Sequence, residues 1–155
     1  MFNVATLSLK GRALRALAGR EYSRVELQRK LASVEAEPGE LTKILDELAA
    51  KGFINEQRVA DSVAYRRGAK LGTARVVQEL KAKGVDPDAV AQAAAALKAT
   101  ELDRAREVWR KKFGNTAQGS ADRSKQMRFL ASRGFAPEVI RKAVGGVDDY
   151  DDDGN

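Results

Sequence analysis

The chain has 155 residues, carries a formal net charge of +6, and contains neither cysteine nor histidine. Their absence excludes disulfide bonds, favours the cytoplasm, and removes the commonest acid–base and nucleophilic groups of enzymes, so we expect a protein without catalytic activity or cofactor. No apolar run approaches the length of a membrane-spanning helix, and the first twelve residues lack the apolar stretch of a secretion signal.

The first third of the chain predicts three helices. Apolar residues at helical spacing predict a helix from about Leu9 to Ala18. Ser23 followed by Glu26 forms a capping box, which predicts the start of a second helix. A third helix follows Pro38 and stops at Gly52.

The middle third predicts three more helices. Asn55 is placed to cap a fourth helix, and Gly72 with Thr73 opens a fifth. Gly84 ends that helix, because glycine readily adopts the left-handed conformation of a helix exit. The sixth helix is rich in alanine and is predicted from Pro87 to Leu97.

The last third predicts helices seven to nine. Thr100 precedes the seventh, on which Trp109 and Phe113 lie at helical spacing. The final two are predicted from Asp122 to Arg133 and from Pro137 to Val144, after a loop that is rich in small and polar residues. No segment alternates like a strand for long, so we expect an all-α protein. Trp109 and Phe113 are expected to be core residues, although both side chains are able to stack on bases.

A similar corner, meaning the short turn between the end of one helix and the start of the next, recurs along the chain. Three apolar and proline anchors repeat at steps of 49 and 50 residues: Leu31, Pro38 and Leu41; Leu80, Pro87 and Val90; Leu130, Pro137 and Ile140. The later two copies share a glycine, Gly84 or Gly134, where the first has Glu35. A period near 50 residues is typical of tandem helical units. We therefore predict three-helix repeats at 1–54, 55–99 and 100–146, followed by an acidic disordered tail at 147–155.

Charge is distributed unevenly between the helical part and the end of the chain. Five aspartates lie within Asp148–Asp153, and without them 28 basic residues face 17 acidic ones, a balance of +11. A basic body of this kind favours a polyanionic partner, which the acidic tail would screen. Asp149, Asp151, Asp153 and Gly154 also match the opening of a calcium-binding loop, but the acid at the twelfth position is missing, so we expect no metal site.

The candidate contacts come from basic clustering alone. Most lysines and arginines are expected only to solvate helix surfaces, but three clusters stand out. One contains Arg12, Arg15 and Arg20 and is not among the candidates below. The selected candidates for binding a partner or nucleic acid are the following: Arg66, Arg67, Lys70, Arg75, Lys81, Lys83, Arg110, Lys111 and Lys112.

Four segments in order resemble the bacterial RecX recombination regulators: "SLKGRALRALAGREYSRVELQRKL", "LAAKGFINEQRVADSVAYRR", "LGTARVVQELKAKGVD" and "QMRFLASRGFAPEVI". The resemblance implies three tandem three-helix repeats in an elongated, curved array. It also implies a protein that binds the RecA recombinase filament on single-stranded DNA and inhibits ATP hydrolysis, strand exchange and coprotease activity. Many members bind DNA as well. For this chain we expect a monomer with single-stranded DNA as a partner and double-stranded DNA as a further candidate. The acidic tail is not part of the shared pattern.

Two alternatives remain open at this point. The chain is also compatible with a stand-alone basic helical module that binds DNA without the recombinase. The other alternative is a small enzyme that works through aspartate, glutamate and lysine, for which a convergent carboxylate pair in a deep pocket would be needed.

Overall fold

The computed structural model describes residues 7–115 and 117–145. The predicted acidic tail, with the calcium-loop motif Asp149–Gly154, lies outside the described residues. Within them, all regular structure is helical, which confirms the all-α prediction. The elements are α1 (Leu9–Gly19), α2 (Arg24–Leu31), a 3-10 turn (Ala32–Val34), α3 (Glu40–Ala50), α4 (Glu56–Gly68), α5 (Thr73–Ala82), α6 (Pro87–Lys112), α7 (Ser120–Ser132) and α8 (Pro137–Gly145).

Local signals in the sequence set several helix starts. The Ser23 hydroxyl accepts from the amide of Glu26, whose carboxylate accepts from the amide of Ser23, so the capping box is confirmed. Asn55 caps α4, because its side-chain oxygen accepts from the amide of Arg58 at 2.9 Å. Asp86 likewise accepts from the amide of Asp88 at 3.1 Å and caps α6. Each cap satisfies an amide that the helix itself leaves unpaired.

The prediction of separate sixth and seventh helices was wrong. A single helix, α6, runs for 26 residues from Pro87 to Lys112. Thr100 does not start a new helix, since its hydroxyl donates to the Leu97 carbonyl at 3.4 Å within the continuing turn. No glycine or proline interrupts this stretch, and alanine and leucine are strong helix formers. The helix therefore continues through the predicted break.

The chain divides into two compact units, which are described separately. The N-terminal unit contains Met1–Ser62 and Leu80–Val90, and the C-terminal unit contains Val63–Glu79 and Ala91–Asn155. The core of the N-terminal unit is aliphatic, and side chains from α1, α2 and α3 meet in it. Its fully buried members are Ala13, Leu27, Leu45 and Leu48.

The core of the C-terminal unit lies where the last part of α6 meets α7 and α8. Ala105 and Leu130 are completely buried there, and Trp109 packs against the same cluster. The indole N–H of Trp109 donates to the Gln126 side chain at 2.8 Å. The Phe113 ring meets Phe129 edge to face with centroids 5.5 Å apart. The expectation that Trp109 is a core residue is confirmed.

The corner after α5 docks on the start of α2 in the N-terminal unit. The Ser23 hydroxyl donates to the Lys83 carbonyl at 2.5 Å, and the Arg29 guanidinium donates to the Ala82 carbonyl at 2.9 Å. Gly84 adopts a φ of +67° at this point. A Cβ at Gly84 would lie 2.5 Å from the Cβ of Val25, so glycine is required by both conformation and space.

The corner after α7 docks on the start of α5 in the C-terminal unit in the same manner. The Gly72 amide donates to the Arg133 carbonyl at 2.8 Å, and the Arg75 guanidinium donates to the Ser132 carbonyl at 2.8 Å. Gly134 has a φ of +89°, and a Cβ there would overlap the Arg75 side chain. The repeated corner is thus a joint, since backbone carbonyls beside a left-handed glycine receive donors from the middle helix of the preceding repeat.

Candidate functional site

The bend between α4 and α5, residues 65–75, is called the central bend. Three of its side chains are exposed and form no hydrogen bond or ion pair with the described part of the chain. Tyr65 is 90% exposed, an unusual position for a large aromatic side chain. Arg66 and Lys70 are also exposed, and neither side chain forms a hydrogen bond or ion pair with the described part of the chain. A phenol ring and two cations therefore face solvent together on a short segment.

Two other predicted residues of the central bend have structural partners. Arg67 donates to both carboxylate oxygens of Glu79, at 2.9 to 3.2 Å, and so joins the end of α4 to α5. Arg75 donates to the Ser132 carbonyl, as described for the corner. The two-point contact with Glu79 fixes the orientation of the Arg67 guanidinium. The structure thus separates the four cations of this bend into two that are engaged and two that are not.

Arg104 holds the central bend in place, although no sequence pattern distinguishes it from a surface arginine. Its guanidinium donates to the carbonyls of Gly68 at 2.8 Å, Leu71 at 2.6 Å and Leu97 at 2.8 Å. It also donates to the Thr73 hydroxyl at 3.2 Å. Burial lowers the pKa of Arg104, an effect that the nearby Glu101 carboxylate partly opposes. Because arginine titrates far above neutral pH, the group remains charged and the bend remains braced.

The start of α5 receives a second brace from the same helix. Glu101 is buried, and its carboxylate accepts from the amide of Thr73 at 2.8 Å. A carboxylate at a helix N-terminus satisfies an unpaired amide and complements the helix dipole. The central bend is therefore fixed by buried polar contacts on its inner side.

The predicted cluster at the end of α6 is exposed. Arg110 and Lys111 lie 2.6 and 3.7 Å from Glu107, and Lys112 lies 5.3 Å from the centre of the Phe129 ring. The Glu107 hydrogen bond raises the pKa of Arg110 and the same contact lowers the pKa of Glu107. Exposed pairs of this kind contribute little to stability and are readily exchanged for another anion.

Lys81 and Lys83 belong to the N-terminal unit. Lys81 is exposed, and its side chain has no partner among the described residues. Lys83 is half-buried and lies 3.5 Å from Glu26, which also accepts from Arg20 at 2.9 Å. Burial alone would raise the pKa of Glu26, but the Arg20 hydrogen bond, the Ser23 amide and the Lys83 charge lower it overall. Glu26 therefore stays ionised and binds both cations.

An open cleft of about 480 Å³ lies on the N-terminal unit, beside α1 and the 3-10 turn. Arg12, Arg15 and Lys30 line it, and no carboxylate of the described residues does. A neighbouring cleft of about 370 Å³ shares Tyr22 and Lys30 with it. Clustering of Arg12 and Arg15 was visible in the sequence, but the cleft was missed because Lys30 joins them only through the packing of α2.

Among the described residues there is no group of three or more carboxylate, cysteine or histidine side chains placed to hold a metal ion. No described helix has the length and apolar character needed to cross a bilayer. Glu56 is half-buried, and its Oε2 atom is buried without a hydrogen-bond partner. The backbone amides of Arg24 and Asp86 face this carboxylate, which lies within the N-terminal unit.

Comparisons with known proteins agree on one family. Residues 55–93 match the family model of the RecX second three-helix domain, and residues 99–144 match that of the RecX third three-helix domain. The regulatory protein RecX of Leptothrix cholodnii is 46% identical over 99% of this chain and 98% of its own length. That of Herminiimonas arsenicoxydans is 44% identical over 94% and 97%.

The fold also matches a solved structure. The crystal structure of RecX from Lactobacillus salivarius aligns with a TM-score of 0.78 at 18% identity, over 90% of this chain and 94% of that one. The family models confirm three-helix domains in the second and third parts of the chain. The exact division at residues 54, 99 and 146 stays a prediction, as do the nine candidate contact residues.

Proposed function

Because this chain belongs to the RecX family of regulatory proteins, we propose that it regulates the RecA recombinase by binding its filament on single-stranded DNA. Binding would inhibit ATP hydrolysis, strand exchange and coprotease activity. The chain would act without chemistry of its own, as a ligand of the filament.

The observation that carries this proposal at the residue level is the exposed set on the central bend. Tyr65 is 90% exposed, while Arg66 and Lys70 have no partner in the described parts of the chain. Tyrosine and arginine are enriched among residues that dominate binding energy at interfaces. The guanidinium of Arg66 and the ammonium of Lys70 can bind carboxylates of the recombinase or phosphates of the filament equally well.

The rigidity of the central bend also supports its assignment as a contact with the filament. Arg104 and Glu101 fix the inner side of the central bend through hydrogen bonds that are half-buried for Arg104 and buried for Glu101. A surface that is held in place before binding loses less conformational freedom when its partner arrives. The bend is therefore a suitable contact point.

Several helical modules on one chain would strengthen weak contacts. A filament presents the same protein and phosphate surfaces at every subunit, so a second module binds at the effective concentration set by the first. The exposed cations at the end of α6, Arg110, Lys111 and Lys112, are candidates for such an additional contact. Bridging of neighbouring subunits would then hinder their cycling by steric and electrostatic means.

The test is RecA ATP hydrolysis on single-stranded DNA, titrated with the unmutated chain and with a double variant, Arg66→Glu with Lys70→Glu. Both positions are exposed, so the change in stability should stay within about 0.5 kcal/mol per site. We expect the concentration for half inhibition to rise about tenfold or more, since a loss of about 1.4 kcal/mol in binding already corresponds to tenfold.

The matched control reverses two other exposed cations of the C-terminal unit, Lys125→Glu with Arg141→Glu. Arg67 is left unchanged because its pairing with Glu79 would confuse folding with binding. Circular dichroism verifies that each variant is folded. Unchanged inhibition by the central-bend variant, or an equal loss in the control, would remove the central bend as a principal contact.

The stand-alone DNA-binding module remains the second candidate, favoured by the +11 balance outside the Asp-rich segment. It is separated from the first by measuring affinity for bare single-stranded DNA across a salt series. Each lost phosphate contact should reduce the salt slope by roughly one unit. Binding to bare DNA together with absence of any effect on RecA hydrolysis would favour this second function.

A further inference from the structure

The 480 Å³ cleft of the N-terminal unit, called the basic cleft, combines charge with an apolar floor. Ala16, Leu31 and Val34 form the apolar part, while Arg12, Arg15 and Lys30 supply the cations. Val34 is 40% exposed, which makes it one of the few large aliphatic side chains left open to solvent. Such a site has room for one or two apolar side chains and is bordered by positive charge.

The positive charge of the basic cleft is not neutralised from within the described chain. Arg15 and Lys30 form no hydrogen bond or ion pair there, and Arg12 donates only weakly to the Leu7 carbonyl at 3.4 Å. Several other cations of the same unit are paired with carboxylates: Lys10 with Glu47, Arg20 with Glu26, Arg24 with Asp46 and Arg58 with Glu21. Three cations without a carboxylate partner around one cleft indicate a site for an external anion.

The floor of the basic cleft favours a peptide over a nucleic acid strand. Base stacking requires an open aromatic face, but the Tyr22 ring carries the Arg20 guanidinium 3.5 Å from its centre and packs against the core. The remaining floor is aliphatic and suits an aliphatic or aromatic side chain of a protein. The three cations around it suit carboxylates on either side of such an anchor.

We propose that the basic cleft binds an acidic segment of a protein partner, with one apolar side chain inserted onto Leu31 and Val34 and flanking carboxylates on Arg12, Arg15 and Lys30. The neighbouring cleft, which shares Tyr22 and Lys30, continues the surface for an extended segment. Its one carboxylate, Glu26, is already paired with Arg20 and Lys83, and Arg29 adds a further cation to its lining. This site lies in the N-terminal unit and is separate from the central bend of the proposed function. It adds a second and chemically different contact.

The experiment measures direct binding of the full-length chain to labelled model peptides by fluorescence anisotropy. The first probe is a blocked pentapeptide, Asp-Asp-Leu-Asp-Asp, and the second replaces the central leucine by glycine. Since the two probes carry the same charge, their difference reports the apolar floor. We expect the leucine peptide to bind about tenfold more tightly, in keeping with partial burial of its side chain.

Variants locate the binding. Val34→Asp should abolish the preference for leucine, and Arg15→Glu with Lys30→Glu should weaken binding of both peptides about tenfold or more. The matched control, Lys43→Glu with Lys51→Glu, changes the same charge at exposed positions of the same unit that do not line the basic cleft. It should leave the leucine preference intact and lower the affinity only slightly.

Three results would overturn the proposal. Equal binding of the two peptides would show that the leucine side chain does not bind to the apolar part of the basic cleft. An equal loss in the control would show that only net charge matters. The third result has two parts: the unmutated chain binds neither peptide, and Arg15→Glu with Lys30→Glu weakens its binding to a labelled oligo-dT. The basic cleft would then be a nucleic-acid site. RecA is absent from every arm, so the outcome is independent of the proposed function.

Discussion

A single methyl group added at Gly72 should destabilise the C-terminal unit, because it would meet backbone atoms. Its amide donates to the Arg133 carbonyl at 2.8 Å, so two backbone segments touch directly in the C-terminal unit. A Cβ at this position would lie 2.5 Å from the amide nitrogen of Phe135 and closer still to the carbonyl group of Gly134. Real Cβ atoms essentially never approach other atoms within 3.0 Å, and backbone has little freedom to move aside.

The magnitude for Gly72→Ala follows from these contacts. Overpacking costs about 1–3 kcal/mol, and loss of the hydrogen bond adds about 0.5–1.5 kcal/mol. The reduced entropy of the unfolded chain returns less than about 1 kcal/mol. We therefore expect the free energy of unfolding to fall by about 1–4 kcal/mol, equivalent to a decrease of about 2–16 °C in the midpoint of thermal unfolding.

Urea unfolding followed by tryptophan fluorescence is the assay, because Trp109 is the single tryptophan and packs in the core of the C-terminal unit. Gly19→Ala is the control, since nothing lies within 4 Å of a Cβ there. It should be neutral or stabilising by up to about 1 kcal/mol. If Gly72→Ala unfolded at the same urea concentration as Gly19→Ala, the close backbone approach, and with it the corner joint, would be refuted.

Three further predictions concern other parts of the chain. Arg104→Lys should lower the free energy of unfolding by about 2–4 kcal/mol in the same assay, because an ammonium group cannot reach the three carbonyls that the guanidinium fork binds; an unchanged midpoint would contradict the bracing role. Burial raises the pKa of Glu56 in the folded state, in spite of the amides of Arg24 and Asp86, so its carboxylate destabilises the fold above that pKa and has no such effect below the unfolded pKa. The stability of Glu56→Gln relative to the unmutated chain should therefore increase between pH 4 and pH 7, and a constant difference would disprove the assignment. Truncation after Gly146 removes five aspartates and should tighten binding to single-stranded DNA at low salt while leaving helicity unchanged; equal or weaker affinity would leave the segment without a screening role.

Helix starts were predictable from the sequence because their physics is local. The capping box of Ser23 and Glu26, the Asn55 cap and the Asp86 cap each involve residues within three positions of one another, so the pattern in the chain contains the whole interaction. The left-handed Gly84 is of the same kind. A helix exit needs that conformation, and glycine adopts it without strain.

The features that the sequence did not reveal depend on residues far apart in the chain. Arg104 binds carbonyls more than thirty positions earlier, and nothing in its own neighbourhood distinguishes it from a surface arginine. The predicted break at Thr100 failed for the opposite reason: a local capping signal was outweighed by strong helix formers on both sides. The basic cleft needed Lys30 from α2 beside two arginines of α1, a juxtaposition that only packing creates.

The chemistry of the corner joints also explains how this basic chain leaves some of its cations without carboxylate partners. The hydrogen bonds described for both joints are accepted by backbone carbonyls, those of Ala82 and Lys83 in one unit and of Ser132 and Arg133 in the other. One ion pair, between Lys83 and Glu26 at 3.5 Å, lies beside them in the N-terminal unit. Carbonyl acceptors and glycine contacts need no carboxylate, so joining one repeat to the next does not require neutralising its cations. A chain joined in this way is able to keep unpaired cations at the central bend and around the basic cleft. Replacing the joints by salt bridges would hold the repeats together but would remove the charge by which we propose that the protein binds its partners.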